Sequence, residues 1–193
     1  MKNAVVSSAK PNPYPMIKKI LIVLVGIVAA LAVVVALQPA DFRVTRSATI
    51  SAPPAVVFAQ VNDLHKFQDW SPWAKLDPAA KSDFQGPPAG TGAAFSWAGN
   101  MEVGEGTMTI TESRPAELVR FKLDFKKPMA GTSTAEFTFK PEGGATLVTW
   151  SMEGKNGFAG KAVSLVMDCD KMVGGQFEKG LADLKKIAEA APK

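Results

Sequence analysis

Residues 20–37 form an unbroken run of 18 residues without a single polar side chain, interrupted only by Gly26. Wound as a helix at 1.5 Å per residue, such a run is about 27 Å long, close to the roughly 30 Å hydrocarbon thickness of a bilayer. A soluble helix keeps a polar stripe for water, and none is available here. Ile17 extends the run if Lys18 and Lys19 snorkel toward the headgroups. Two competing readings are a central buried helix and a cleaved leader. The Lys-Lys pair beside so long a run argues against the first. Against the second, Ala30-Leu31-Ala32 is spaced for cleavage but continues into more apolar chain, and Ala36-Leu37-Gln38-Pro39 puts Gln and Pro where small residues are needed. Residues 17–38 are therefore expected to be an uncleaved transmembrane anchor. By the positive-inside rule the preceding lysines keep the N-terminus in the cytoplasm, with residues 41–193 on the periplasmic side of the inner membrane. Residues 1–16, rich in proline and without apolar periodicity, are expected to be a disordered cytoplasmic tail. Met16-Ile17-Lys18-Lys19 would serve equally well as a translation start.

The formal charge of +4 suggests nucleic acid until it is divided. Lys2, Lys10, Lys18 and Lys19 precede residue 41 with no acidic partner, whereas the remainder balances 18 basic against 18 acidic side chains. A domain without net charge lacks the basic footprint of a phosphate binder, so no nucleic-acid partner is expected. One cysteine and one histidine exclude a disulfide framework and a Cys- or His-rich metal site. No cofactor is expected.

From Asp41 onward the pattern is α+β. Residues 41–50 alternate Phe42, Val44, Ala48 and Ile50 with polar neighbours, although Arg46 falls on the apolar parity. Pro53-Pro54 opens a helix carrying Val56, Val57, Phe58 and Val61. A second short helix over 64–70 bears Leu64, Phe67 and Trp70, and Ser71-Pro72-Trp73 should turn out of it. Strands are expected over 83–85, 93–98, 106–112, 117–126, 132–140 and 145–153, most with one apolar parity. Such sequential one-sided strands predict an antiparallel meander. Residues 161–190 contain no proline and carry Leu165, Val166, Val173, Phe177, Leu181, Leu184 and Ile187 at helical spacing, predicting one long helix. Gly174-Gly175 and Gly180 cost that helix about 1 kcal/mol each relative to alanine, unless something approaches closely or the helix bends.

This order, together with Arg46-Ser47-Ala48-Thr49-Ile50-Ser51-Ala52-Pro53-Pro54, Val57-Phe58, Asn62-Asp63-Leu64, Trp70-Ser71-Pro72-Trp73, Gly104-Glu105-Gly106 and Phe177-Glu178-Lys179-Gly180-Leu181, resembles the START-like (SRPBCC, polyketide cyclase-like) superfamily. The resemblance spans residues 41–190. It implies a helix-grip fold, a curved antiparallel sheet of about seven strands around the C-terminal helix. Lipid carriers, hormone receptors, aromatase/cyclases and chaperone cofactors share that fold, so it does not fix the function.

The chemistry-bearing residues are few. Arg46, inward by parity, either pairs with a carboxylate, snorkels at the strand edge or binds an anionic ligand head. His65 is a surface residue or a ligand contact. Asp69 caps a turn or faces a cavity mouth, and Glu102 and Glu105 flank a hairpin glycine. Cys169, between Asp168 and Asp170, reads as an inert thiol. Trp70, Trp73, Phe95, Trp97, Phe121, Phe125, Phe137, Phe139, Trp150 and Phe177 crowd one interior. They either pack a filled core or leave a gap that, in the family, is a ligand cavity. The leading expectation is a membrane-anchored binding or carrier domain for a hydrophobic small molecule or lipid. Its ligand-binding residues would be Trp70, Trp73, Phe95, Trp97, Phe121, Phe137, Trp150, Phe177 and Arg46. An aromatase/cyclase-like enzyme would need a buried ionisable group, with Arg46, Asp69, Glu102 and Glu105 as candidates. An envelope interaction module with a filled core would instead expose a contiguous apolar patch.

Overall fold

The computed structural model describes residues 14–191 and divides into two compact units, the apolar segment up to Gln38 and the folded domain from Pro39. The first is a single helix, α1 (Tyr14–Leu37), whose stretch Met16–Leu37 is long and apolar enough to cross a membrane. Side chains at residues 16–34 are exposed on every face, so the protein itself supplies no core for them. The helix starts three residues before the expected Ile17, and the expected tail up to residue 13 lies outside the described residues.

The domain begins with β1 (Asp41–Ile50), which matches the alternating segment of the sequence. Pro54 in the first turn starts α2 (Pro54–Asn62), and Asp63 caps α3 (Leu64–Trp70), its carboxylate accepting from the backbone N–H groups of His65 and Lys66. Asp69, expected to cap the following turn or to face a cavity mouth, is exposed, and α3 closes through the Ser71 N–H donated to the Phe67 carbonyl. The chain does leave α3 at Ser71, but Pro72 then initiates a further short helix, α4 (Pro72–Leu76), because its fixed φ suits a first helical turn.

Six strands follow: β2 (Lys81–Gln85), β3 (Ala94–Ala98), β4 (Glu105–Arg114), β5 (Leu118–Lys127), β6 (Gly131–Glu142) and β7 (Ala145–Lys155). All neighbours are antiparallel, and the sheet order is β1-β7-β6-β5-β4-β3-β2, so a meander is closed on one side by the first strand. Register shifts at Glu105/Gly106 and Ile110/Glu112 bend β4 against β5. Val44, Ile50, Met108, Ile110, Phe121, Ala135, Phe137, Phe139, Val148 and Trp150 face one side and are buried.

The C-terminal region departs from the single helix expected over 161–190. It is split into α5 (Phe158–Ser164) and α6 (Cys169–Ala190). Two features account for the break. Asp168 adopts an extended conformation and its carboxylate accepts from Lys171 N–H, a helix start placed inside the apolar periodicity. In addition α5 has no fully buried residue, so little packing holds it in line with α6. Helix α6 covers the apolar face of the sheet with Phe177, Leu181, Leu184 and Ala188. Two of its three glycines are contact points: a Cβ at Gly174 would overlap the Arg46 guanidinium, and one at Gly180 would lie 2.8 Å from the Trp150 ring. Gly175 meets nothing.

Candidate functional site

The inward side chains do not fill the space beneath α6. A cavity of about 530 Å³ lies between the sheet and helices α3, α4 and α6. Its inner wall is an aromatic stack. Trp150 lies flat on Phe177, with ring centroids 4.0 Å apart and planes 8° apart, and on Phe137 at 4.6 Å. Phe67 and Phe121 complete that wall, Trp73 meets Trp150 edge-on at 5.7 Å, and Phe95, Trp97 and Phe125 line the sheet side. Phe137, Trp150 and Phe177 thus lie face to face along one wall, Phe67, Phe121 and Trp73 meet them mostly edge-on, and the space in front of them stays empty. Glycine and alanine contribute to the same effect. Ala135 faces the cavity from β6, and Gly106 lets the Trp97 indole lie across β4, where a Cβ would come within 2.6 Å of it.

Trp97 is fixed by its Nε1–H donating to the Val103 carbonyl at 3.1 Å. Trp70 is fixed similarly through Gln60 O. The Trp150 Nε1–H, also buried, has no hydrogen-bond partner among the described residues. Few polar groups line the cavity, among them His65, Gln68, Ser71, Asp77 and Ser82. The His65 imidazole stacks on Phe84, centroids 3.8 Å apart, so it is both exposed and part of the lining. Asp77 Oδ2 accepts from Asn100 N–H at 2.7 Å and Oδ1 from Ala79 N–H, tying the start of β2 to the β3–β4 turn.

Of the residues singled out in the sequence, Trp73, Phe95, Trp97, Phe121, Phe137, Trp150 and Phe177 line the cavity. Trp70 does not: it is fully buried behind Trp150 and Phe137, supporting the wall from outside. Arg46 does not either. Its inward parity carries it over Gly174 of α6, where its guanidinium donates to Glu178 Oε1 at 2.7 Å, to Asp170 Oδ1 and Oδ2 at 3.2 and 2.9 Å, and to the Asp170 and Thr45 carbonyls. All five N–H groups are thereby used, so the arginine clamps α6 to β1 and offers nothing to a ligand head. The hydrogen bond from Arg46 pulls the Asp170 carboxyl below its ordinary range.

The other acid–base candidates also lie off the cavity lining. Asp69 and Glu102 are exposed, and Glu105 is held below its ordinary pKa chiefly by the hydrogen bond from Lys127 at 2.9 Å. His65 and Asp77 are the ionisable groups that do line the cavity. The sequence contained a signal for Asp77, because Asp-Pro is a turn-opening pair, but it held no cue that the turn bordered a cavity. No cluster of three His, Cys, Asp or Glu side chains suited to a metal occurs among the described residues.

The family model described as "Polyketide cyclase / dehydrase and lipid transport" matches residues 41–189. Among solved structures, a protein from Chromobacterium violaceum is 16% identical, with 80% of this chain and 100% of that chain covered at a TM-score of 0.56. The Aha1 dimer from Colwellia psychrerythraea is 14% identical, with 79% and 99% covered and a TM-score of 0.56. CalU16 from Micromonospora echinospora is 14% identical, with 79% and 87% covered and a TM-score of 0.50. At these identities the likeness is one of fold. No curated protein matches the chain.

Proposed function

Because the chain belongs to the polyketide cyclase/dehydrase and lipid transport family, we propose that it is a membrane-anchored binding or carrier domain for a hydrophobic small molecule or a lipid acyl chain. The observation that carries this reading is the aromatic cavity of about 530 Å³, within the roughly 300–1,000 Å³ range of small-molecule sites. An apolar ligand there gains the burial of its own surface and of the exposed ring faces. Trp73, Phe95, Trp97, Phe121, Phe137, Trp150 and Phe177 make the contacts, and the rim groups His65, Gln68 and Ser82 meet any polar end. In this reading α1 is a single-pass anchor in the inner membrane, with Lys18 and Lys19 on the cytoplasmic side and the domain on the periplasmic side.

The test is native mass spectrometry with organic extraction on the full chain in detergent, alongside uptake of a fluorescent fatty-acid probe. Ala135→Phe places a ring in the cavity without touching the exterior. The reading expects a stoichiometric hydrophobic ligand or saturable probe uptake, lost in Ala135→Phe while unfolding stays cooperative. A folded chain that carries nothing and takes up no probe sinks it.

A further inference from the structure

The antiparallel register sorts every connection in the domain to one of two sheet ends. At the end where β1 begins lie the α4–β2 link, the β3–β4 turn, the β5–β6 turn and the segment that leaves β7 through α5. The anchoring pairs are Asp41 with Lys155, Glu105 with Lys127, and Lys81 with Ala98. At the opposite end lie residues 51–53, 86–93, 115–117 and 143–144, whose apolar members are only alanine and proline. All the large exposed apolar side chains of the domain's described residues fall at the first end. On and after α5 these are Phe158, Leu165, Val166, Met167 and Met172, with Val166 83% exposed. The two turns add Met101, 82% exposed, and Met129, and α4 ends in Leu76. Four loops distant in sequence thus put their apolar residues at one end, which random placement of single surface hydrophobics does not explain.

The chain also enters the domain at this end. Three residues separate Leu37 of α1 from Asp41 of β1. Even fully extended, that link spans no more than about 14 Å. Asp41 therefore stays within about 14 Å of the end of α1. Most of the lysines at this end are paired, which does not suit a polyanion: Lys126 and Lys127 with Glu105, Lys155 with Asp41 and Lys171 with Asp168.

We propose that this end of the sheet is a lipid-contacting face: Phe158, Val166, Met101 and Met129 enter the headgroup–acyl boundary of the membrane that α1 spans. The inference rests on the reading of α1 as an anchor. The contact is apolar rather than electrostatic, so it forms on neutral lipid and resists salt. The cavity reaches the same end, through Asp77, Pro78 and Ala80 of the α4–β2 link and Val103 of the β3–β4 turn. A hydrophobic ligand can then pass between bilayer and cavity without crossing bulk water.

The experiment uses the full chain with Cys169→Ser as background. An environment-sensitive fluorophore is placed through Val166→Cys, Met101→Cys or, as a control at the opposite end, Glu142→Cys. The protein is reconstituted into phosphatidylcholine vesicles with and without brominated acyl chains. The proposal expects blue-shifted emission and strong bromine quenching at 166 and 101, unchanged in high salt, with neither at 142. Labels at 166 and 101 that stay as water-exposed as the label at 142, in chain that floats with the vesicles, overturn the face and leave the anchor standing. Chain that does not float overturns both. Labels shielded from water yet unreached by brominated lipid mean that a second protein copy covers the face, which also overturns it.

Discussion

The three glycines of α6 allow the packing account to be tested with one substitution made three times. In an exposed helix interior, Gly→Ala stabilises by about 1 kcal/mol, because alanine loses less backbone entropy on folding. Gly175 has nothing within 4 Å of an added Cβ, so Gly175→Ala should realise that gain. For a chain of this size the melting temperature should rise by roughly 2–4 °C. At Gly180 the same methyl lies 2.8 Å from Trp150 Cζ3 and 3.1 Å from Pro72 Cδ. Trp150 is held between Phe177 and Phe137 and cannot slide aside without parting a stack. Overpacking of this kind costs about 1–3 kcal/mol, which cancels the helix gain or exceeds it by up to about 2 kcal/mol. Gly174→Ala is different again. Its methyl would overlap the Arg46 guanidinium, so that group must shift and its bonds to Asp170 and Glu178 are strained or lost.

The assay is urea unfolding of the full chain in detergent, followed by tryptophan fluorescence. The expected order of stability is Gly175→Ala above the parent, and Gly174→Ala and Gly180→Ala at or below it. A double-mutant cycle sharpens the Gly174 result. With Arg46→Met already in place, Gly174→Ala should change sign and stabilise, because the group it evicts is gone. Equal effects at all three positions, or additivity between Arg46→Met and Gly174→Ala, would refute the claim that these glycines exist for close approach.

Two further outcomes follow from the same geometry. Gly106→Ala brings a Cβ within 2.8 Å of both the Trp97 ring and the Asp124 carbonyl; it should displace the indole from Val103 O, cost about 1–3 kcal/mol and alter the near-UV circular dichroism. Acid should loosen α6 first: Asp170 is lowered by the hydrogen bond from Arg46, Asp183 by those from Lys186 and Lys75, and Glu189 by the Ser51 N–H. A carboxyl depressed in the folded state contributes fully above its ordinary pKa, 3.8 for Asp and 4.5 for Glu, and loses that contribution as pH falls through the lower folded value. Hydrogen exchange should therefore show α6 opening below about pH 4, and Arg46→Met should flatten that dependence.

The strands and α3 were legible because their signals are local. Alternation in β1, β5, β6 and β7 has period two, and Leu64, Phe67 and Trp70 recur at the spacing of one helix face. The split of the C-terminal helix was illegible for a related reason. Leu165 and Val166 continue the helical periodicity numerically, but both side chains are exposed, and periodicity does not distinguish a buried face from an exposed one. The carboxylate partners of Arg46 were not legible either. Parity correctly put it inward on β1, but Asp170 and Glu178 are more than 120 residues away, and only the crossing of α6 over β1 brings them together. Among the aromatics, identity and parity could not separate Trp70 from Trp73. One lies behind the wall and the other on it, a difference made by the turn at Ser71.

The cavity itself is set by shape rather than by composition. The same inward rings would close the interior if the sheet were flat and the helix featureless. Here register shifts at Glu105/Gly106 and Ile110/Glu112 interrupt the β4–β5 ladder, while Gly180 lets the helix settle directly on the Trp150 ring. Gly180 and Gly174 are thus points of close approach for α6, and Trp73, Val173 and Phe125 line the cavity. Sequence composition registers the glycines as helix-weakening, and register registers the bulges as local defects. The glycines nevertheless hold α6 against Arg46 and Trp150, and the space lined by rings lies beside those points of contact.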